Sequence, residues 1–286
     1  MTTLTAPHTA APAHADAEAS PYRLSFARLV RAEWIKLTTL RSTWWSFGFV
    51  ALISIGLSLL MATSMSSFLG DAPPMTVVES NQQAVMVVLF STVLTQLLAV
   101  IIGAISVTGE YSTGMIRSSM TAAPQRVPAL LAKALVVGVS LFVSTIVVFA
   151  IAALVTGPIL PTGALDLSDP ASSIMPILGA SLYLAVVAIM GVGLGFVIRN
   201  GPGALAAGIG LVFVAPLIVG FFPRIPDLEW LHTLASYLPS NAGQSLFMGS
   251  PMSGNVLDTV PALITLVVWA VVALLGGIAV LKSRDA

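Results

Sequence analysis

Ala129-Leu-Leu-Ala-Lys-Ala-Leu-Val-Val-Gly-Val-Ser-Leu-Phe-Val-Ser-Thr-Ile-Val-Val-Phe-Ala-Ile-Ala-Ala-Leu-Val-Thr156 holds one charge, Lys133, in 28 residues. A helix needs about 20 apolar residues to cross a hydrocarbon layer of roughly 30 Å, and a helix apolar on every side has no face to offer water. Five more runs read the same way: Trp45 to Met65, Ala84 to Val107, Ile174 to Ile198, Ala204 to Phe222 and Val260 to Leu281, none containing Lys, Arg, Asp, Glu or His. One central charge costs about 2.5–3.5 kcal/mol in a membrane span, while each Leu, Ile, Val or Phe returns only a few tenths. The sequence therefore predicts an all-α, polytopic membrane protein with six transmembrane helices. Between the fourth and fifth runs, Arg199-Asn200-Gly201-Pro202-Gly203 combines a charge with three helix breakers, which predicts a tight turn.

Composition agrees. Only 8% of the 286 residues are charged, against roughly a quarter in soluble domains, so 12 basic and 12 acidic side chains cannot cover a core of this size. The formal net charge is zero, which gives no basic field for nucleic acid. There is no cysteine, hence no disulfide and no thiolate chemistry. Residues 1–22 read as a disordered tail ahead of a single transmembrane unit, 23–286. Because Met1 to Ser20 lacks both a basic start and an apolar run, no signal peptide is expected and the first span should remain in the mature chain.

The distribution of charge orients the spans. Arg23, Arg28, Arg31, Lys36, Arg41, Arg117, Arg126, Lys133, Arg199, Lys282 and Arg284 all fall on one side, while connections 66–83, 157–173 and 223–259 hold only Arg224 against seven acids. The positive-inside rule makes the first side, with both termini, cytoplasmic. Ser25 to Arg41 spaces Phe26, Leu29, Val30, Trp34, Leu37 and Leu40 as a helix does, with Arg28, Arg31 and Lys36 largely elsewhere on the wheel, predicting an amphipathic interfacial helix. Its alternative is an ordinary basic flank. Thr108 to Pro128 is the most polar connection, where Ser112 or Thr113 would cap a short helix ending before Pro124; on charge alone it also reads as a solvated turn. Asp227 with Glu229, and Asn241 with Gln244 after Pro239, would open two short helices before the last span.

Several chemistries lack their residues. Lys36, Lys133 and Lys282 follow Ile, Ala and Leu, so none completes a phosphate-binding P-loop. His8, His14 and His232 are too scattered for a metal centre. No acid falls within a predicted span, which disfavours an intramembrane aspartyl protease or a carboxylate proton relay. Gly191-Val-Gly-Leu-Gly195 lies mid-span and reads as close helix packing. Ser54, Ser58, Thr92, Thr95 and Gln96 are candidates for lining a polar path, or else for hydrogen bonding between helices. The chain reads as machinery for movement without its own energy source.

Three motifs carry a resemblance. Arg31-Ala-Glu-Trp-Ile-Lys-Leu-Thr-Thr-Leu-Arg-Ser-Thr-Trp-Trp45, then Thr108-Gly-Glu-Tyr-Ser-Thr-Gly-Met-Ile-Arg117 with Pro124-Gln-Arg126 and Ala132-Lys133, and finally Tyr237-Leu-Pro-Ser-Asn-Ala-Gly243, set in this order against six spans, are similar to the permease subunits of type-two ATP-binding-cassette exporters in the form common in high-GC Gram-positive bacteria. The likeness runs from about residue 23 to the end. It implies a connecting helix over 25–41, a coupling helix over about 110–124 that docks on a separate ATPase, and short re-entrant helices over 227–248 covering the outer mouth. Glu110, Tyr111, Arg117 and Arg126 would then contact the ATPase, Gly114 would allow close approach, and Pro124 would close the docking segment. The resemblance further implies a plasma-membrane assembly of two permease copies and two cytoplasmic ATPases. ATP and Mg would be bound in the ATPases and not in this chain, with substrate passing between the permeases along spans one, two and five. The sequence departs from larger members of the family in having no big external domain. A non-transporting membrane scaffold is the runner-up; a secondary transporter is disfavoured by the absence of a clear repeat between halves, and an enzyme by the missing chemistry.

Overall fold

The computed structural model describes residues 25–68, 76–116, 118, 126–161, 165–223, 225–248 and 257–283, and every regular element among them is helical. The N-terminal tail, Arg117 and Pro124 lie outside the described residues. The helices are α1 Phe26–Thr39, α2 Arg41–Phe68, α3 Val77–Leu89, α4 Thr92–Ser112, α5 Arg126–Thr156 and α6 Pro170–Ile198, then α7 Gly201–Ile209 and α8 Ala215–Gly220 flanking a π-helical turn, Gly210–Val214. A 3-10 turn, Pro226–Leu228, leads into α9 Glu229–Ser236, α10 Pro239–Gln244 and α11 Thr259–Ser283. Six helices are long and apolar enough to cross a membrane: α2, α4, α5, α6, the continuous Gly201–Gly220 stretch, and α11.

α6 is the central stave. It packs against α4, α5 and α11, and 67% of its apolar stretch is buried, against 22% for α2, 17% for Gly201–Gly220 and 11% for α11. Small residues make its contact with α4 possible: a Cβ on Gly191 would stand 3.2 Å from the Gly103 Cα, and one on Gly195 would stand 2.9 Å from the Val107 Cβ. Gly193 faces the opposite way, toward the backbone of Ala273 in α11. The three glycines thus let one helix approach two neighbours, the packing use expected of such a stripe in lipid.

Local signals account for the element ends. Asp169 caps α6 by accepting from the Ala171 amide at 3.3 Å, and Pro170 occupies the first turn, where a missing N–H costs nothing. Arg199 ends α6 in a left-handed conformation (φ 56°), and Asn200 caps α7 through the Gly203 amide at 3.4 Å, which is the tight turn the breakers predict. The π-helical turn closes through the Ala215 amide onto the Gly210 carbonyl, just before Pro216, which has no N–H to donate.

One predicted span is redrawn. The apolar run 84–107 belongs to two helices, because α3 ends at Leu89 and α4 starts at Thr92 after a break at Phe90 and Ser91. α3 begins at a complete capping box: the Thr76 hydroxyl accepts from the Glu79 amide at 3.3 Å, and the Glu79 carboxylate accepts from the Thr76 amide at 2.9 Å. Those bonds hold the exposed Glu79 carboxyl below its ordinary value. α4 also runs past Val107 to Ser112, so Glu110 lies inside a membrane-length helix, correcting the expectation that no acid does. At the acidic end of the bundle, the two short helices after residue 226 form near the predicted starts, and Asn241 Nδ2 donates to the Ala235 carbonyl at 2.8 Å, joining α10 to α9.

Candidate functional site: an ionic junction at the basic end

Four charged side chains from three helices meet at the basic end of the bundle. Glu33 and Lys36 lie one turn apart on α1, Glu110 sits two residues before the end of α4, and Lys133 is in the third turn of α5. Lys133 Nζ donates to Glu33 Oε2 at 2.6 Å and to Glu110 Oε1 at 2.9 Å; Lys36 Nζ donates to Glu33 Oε1 at 2.7 Å and to Glu110 Oε1 at 3.1 Å. The bonds close a ring of two carboxylates and two ammoniums with no net charge. Glu110 and Lys133 are 5% and 7% exposed, so each would be very costly to bury alone and is tolerable only paired.

The two members on α1 report this balance. Burial alone would raise the Glu33 carboxyl, but the Lys133 charge and the hydrogen bonds from Lys133 and Lys36 outweigh it and hold the group below its ordinary 4.5. Burial likewise pushes the Lys36 ammonium down, and its bond to Glu33 with the charges of Glu33 and Glu110 hold it above its ordinary 10.5.

This geometry relocates several predicted residues. Lys36 turns inward from the α1 surface, whereas Arg28, Arg31 and Trp34 remain exposed with Phe26 and Ile35. Glu110 faces the lysines, so its carboxylate is not presented at the protein surface as a direct docking contact requires. Tyr111 is half-buried, edge-on to Phe196 and beneath the Arg199 guanidinium, 5.3 Å from the ring centre. Arg126 donates to the Leu281 carbonyl at 3.0 Å and Arg199 to the Val280 carbonyl at 3.1 Å, so two arginines hold the C-terminal carbonyls of α11, the end at which a helix dipole favours cations.

What faces outward at the end of α4 is Ser112, then Thr113, Gly114 and Met115, before Ile116 turns back into the core. Gly114 has φ +73° and its N–H bonds the Tyr111 carbonyl at 3.3 Å. A Cβ there would meet nothing within 4 Å in this chain, and the positive φ is a conformation that favours glycine, so glycine serves the left-handed helix stop. The expected short helix over 110–124 is therefore split: residues 110–112 belong to α4, a turn follows, and helical backbone resumes at Met115.

The candidate path residues are buried between helices. The Ser54 and Thr95 hydroxyls bond at 3.0 Å, Ser58 Oγ donates to the Val88 carbonyl at 2.9 Å, and Tyr183 donates to Gln96 Oε1. Thr92 is 3% exposed and its hydroxyl has no partner among the described residues. Within one chain these groups tie α2, α3, α4 and α6 together. Among the described residues no three His, Cys, Asp or Glu side chains gather as metal ligands do.

Beside the ionic ring, α1, α2, α4 and α5 frame a partly open pocket of about 660 Å³. Its walls are largely apolar, with Leu37, Ile101, Ile105 and Val137 facing the same space as Glu110 and Lys133.

The sequence reading missed Glu33, and with it the ring. The available signal was Lys133, the one charge inside an apolar run, which demands a buried partner. No protein-family model and no curated protein matches the chain.

Proposed function

We propose that the chain is the membrane-spanning permease subunit of an ATP-binding-cassette exporter of the bacterial plasma membrane, with both termini in the cytoplasm. Two permease copies work with two copies of a separate cytoplasmic ATPase, which binds ATP and Mg. α1 lies in the cytoplasmic interface with its exposed Trp34, Phe26 and Ile35 toward lipid, and the short helices α9 and α10 face the outside.

The observation that carries the reading is the ionic ring, which fastens the helix preceding the first span to the end of the second and the start of the third, directly behind the exposed turn Ser112–Met115. A subunit driven from outside needs such a joint, because force on one loop must move several helices together. In this reading the ATPase holds the turn through Thr113, Gly114 and Met115, with Glu110 bracing it from within. ATP-driven closure then tilts α1, α4 and α5 as one body, and the tight α4–α6 contact carries the motion inward. The slight burial of α2, Gly201–Gly220 and α11 leaves apolar faces for lipid and for a second copy.

Co-purification with an ATP-binding-cassette ATPase co-expressed from the same genome tests the assignment. Met115→Glu, on an exposed side chain, is expected to abolish the complex while the permease itself keeps its thermal stability. If assembly and substrate-stimulated ATP hydrolysis both survive, the docking turn is misassigned. Because the chain has no cysteine, single cysteines at Arg126 and Ala286 report topology directly, and labelling of either from outside intact cells refutes the orientation.

A further inference from the structure

The cavity beside the ionic ring is too large and too apolar to be only a packing fault. At about 660 Å³ it falls within the size range of small-molecule sites, which are mostly apolar with a few polar groups fixing orientation. Ile101, Ile105 and Glu110 of α4 line it, followed by Thr113 and Met115 of the exposed turn; the nine residues from Ile101 to Glu110 rise roughly 13 Å, so the space is elongated, with an apolar end at Ile101 and the charges toward the turn at the other.

That end has unused hydrogen-bonding capacity. Glu110 Oε1 accepts from both lysines, whereas Glu110 Oε2 accepts nothing among the described residues. An ammonium has three N–H donors, and Lys133 uses two. Both side chains are more than nine-tenths buried, and both line the cavity. An acceptor and a donor therefore wait at one end of an apolar space.

The ring also sets the charge its ligand must have. Two carboxylates already balance two ammoniums, so an anionic or cationic head would add an unbalanced charge against Glu110 and Lys133, both more than nine-tenths buried, a costly arrangement. A hydroxyl adds no charge, and it can donate to Glu110 Oε2 while accepting from Lys133. We propose that this cavity binds a neutral, hydroxyl-headed, single-chain amphiphile such as a monoacylglycerol, its head at Glu110 and Lys133 and its chain along Ile101 and Ile105. The site lies within one protomer and stands whether or not the chain exports anything.

The test uses the purified full-length chain in detergent micelles without any ATPase, so failure here leaves the transport reading standing. A photoreactive monoacylglycerol with a diazirine in its chain is crosslinked and the adduct mapped by mass spectrometry, with monoolein, oleate and oleylamine as competitors of equal chain length. Labelling is expected on α4 and α5 around Ile101–Ile105 and Val136–Val137. Monoolein should compete about tenfold better than either charged competitor, as loss of one hydrogen bond to a charged group predicts. Ile105→Trp, which fills the cavity from a partly exposed position, should remove the labelling, and Glu110→Gln should narrow the difference between the three heads. Labelling elsewhere, equal competition by all three, or labelling that survives Ile105→Trp overturns the proposal, and none of those readouts needs Glu110→Gln to fold.

Discussion

Lys133→Met is the sharpest single test of the ionic junction. Methionine fills a similar volume, so the change removes the charge while nearly keeping the packing. It deletes the 2.6 Å bond to Glu33 and the 2.9 Å bond to Glu110, leaving two buried carboxylates to share Lys36. Removing one partner from a buried ion pair costs about 3–5 kcal/mol, mostly because an uncompensated charge stays behind. The unfolding midpoint should then fall by on the order of 10 °C, taking the scaling of soluble chains of similar length as a guide. Lys36→Met should be milder, about 1–2 kcal/mol, because its side chain is 30% exposed and water replaces part of what is lost. The assay is thermal unfolding of the purified protein in micelles, followed by static light scattering and tryptophan fluorescence. Its decisive arm is the double variant Lys133→Met with Glu110→Gln, which restores one ammonium to one carboxylate. It should be less destabilised than the two single changes predict by about 1–3 kcal/mol. A single-variant loss within error of zero, or strict additivity in the double variant, would refute a coupled ring.

Other perturbations follow from the same geometry. Gly114→Ala forces a Cβ into a left-handed helix stop and should cost about 1–2 kcal/mol, while Gly114→Asn should recover much of that; equal stability of the alanine variant and the parent protein would show that α4 does not end there. Gly191→Leu drives a side chain into the α4 backbone near Gly103, so folded yield should collapse by size-exclusion chromatography, whereas Gly48→Ala, with nothing within 4 Å of the added methyl, should leave it unchanged. The junction should also respond to pH at both extremes. Because Glu33 sits below 4.5 when folded, its contribution is present above that value and lost as pH falls through the lower folded value; because Lys36 sits above 10.5, its contribution is present below that value and lost as pH rises through the higher one. The stability difference between the parent and Glu33→Gln should therefore be flat across neutral pH and shrink in acid, and a difference that persists at the acid extreme contradicts the pairing.

The spans were legible because the membrane-length helices are written as uninterrupted apolar residues, and a charge-free run of 20 has few other uses. The break at Phe90 and Ser91 was not, since neither residue is a helix breaker and both keep right-handed helical dihedrals. Glycine carried two meanings that the sequence could not separate. At Gly191 and Gly195 close approach was readable from the spacing, whereas Gly114 is fixed by a backbone angle that no pattern of neighbours displays. The ring was hidden by distance, with Lys133 lying 100 residues from Glu33 and 23 from Glu110. Glu33 and Lys36 read separately as an ordinary pair of charges on an amphipathic helix. Only their convergence on Lys133 distinguishes them, and that is a property of the folded chain.

The π-helical turn at Gly210–Val214 has a bearing on how the fifth span tolerates mutation. One residue in an α-helix is about 100° of rotation, and a π turn amounts to one residue more than the α-helical ladder needs. Deleting a single codon among those five would let the ladder close without interruption and swing the distal segment, with Leu217, Ile218 and Phe221, about 100° around its own axis. The span would stay long enough to cross the bilayer, yet it would show lipid and any second copy a different set of side chains. Indels here act as a rotary adjustment of the helix face, a change that substitution at any one position does not offer.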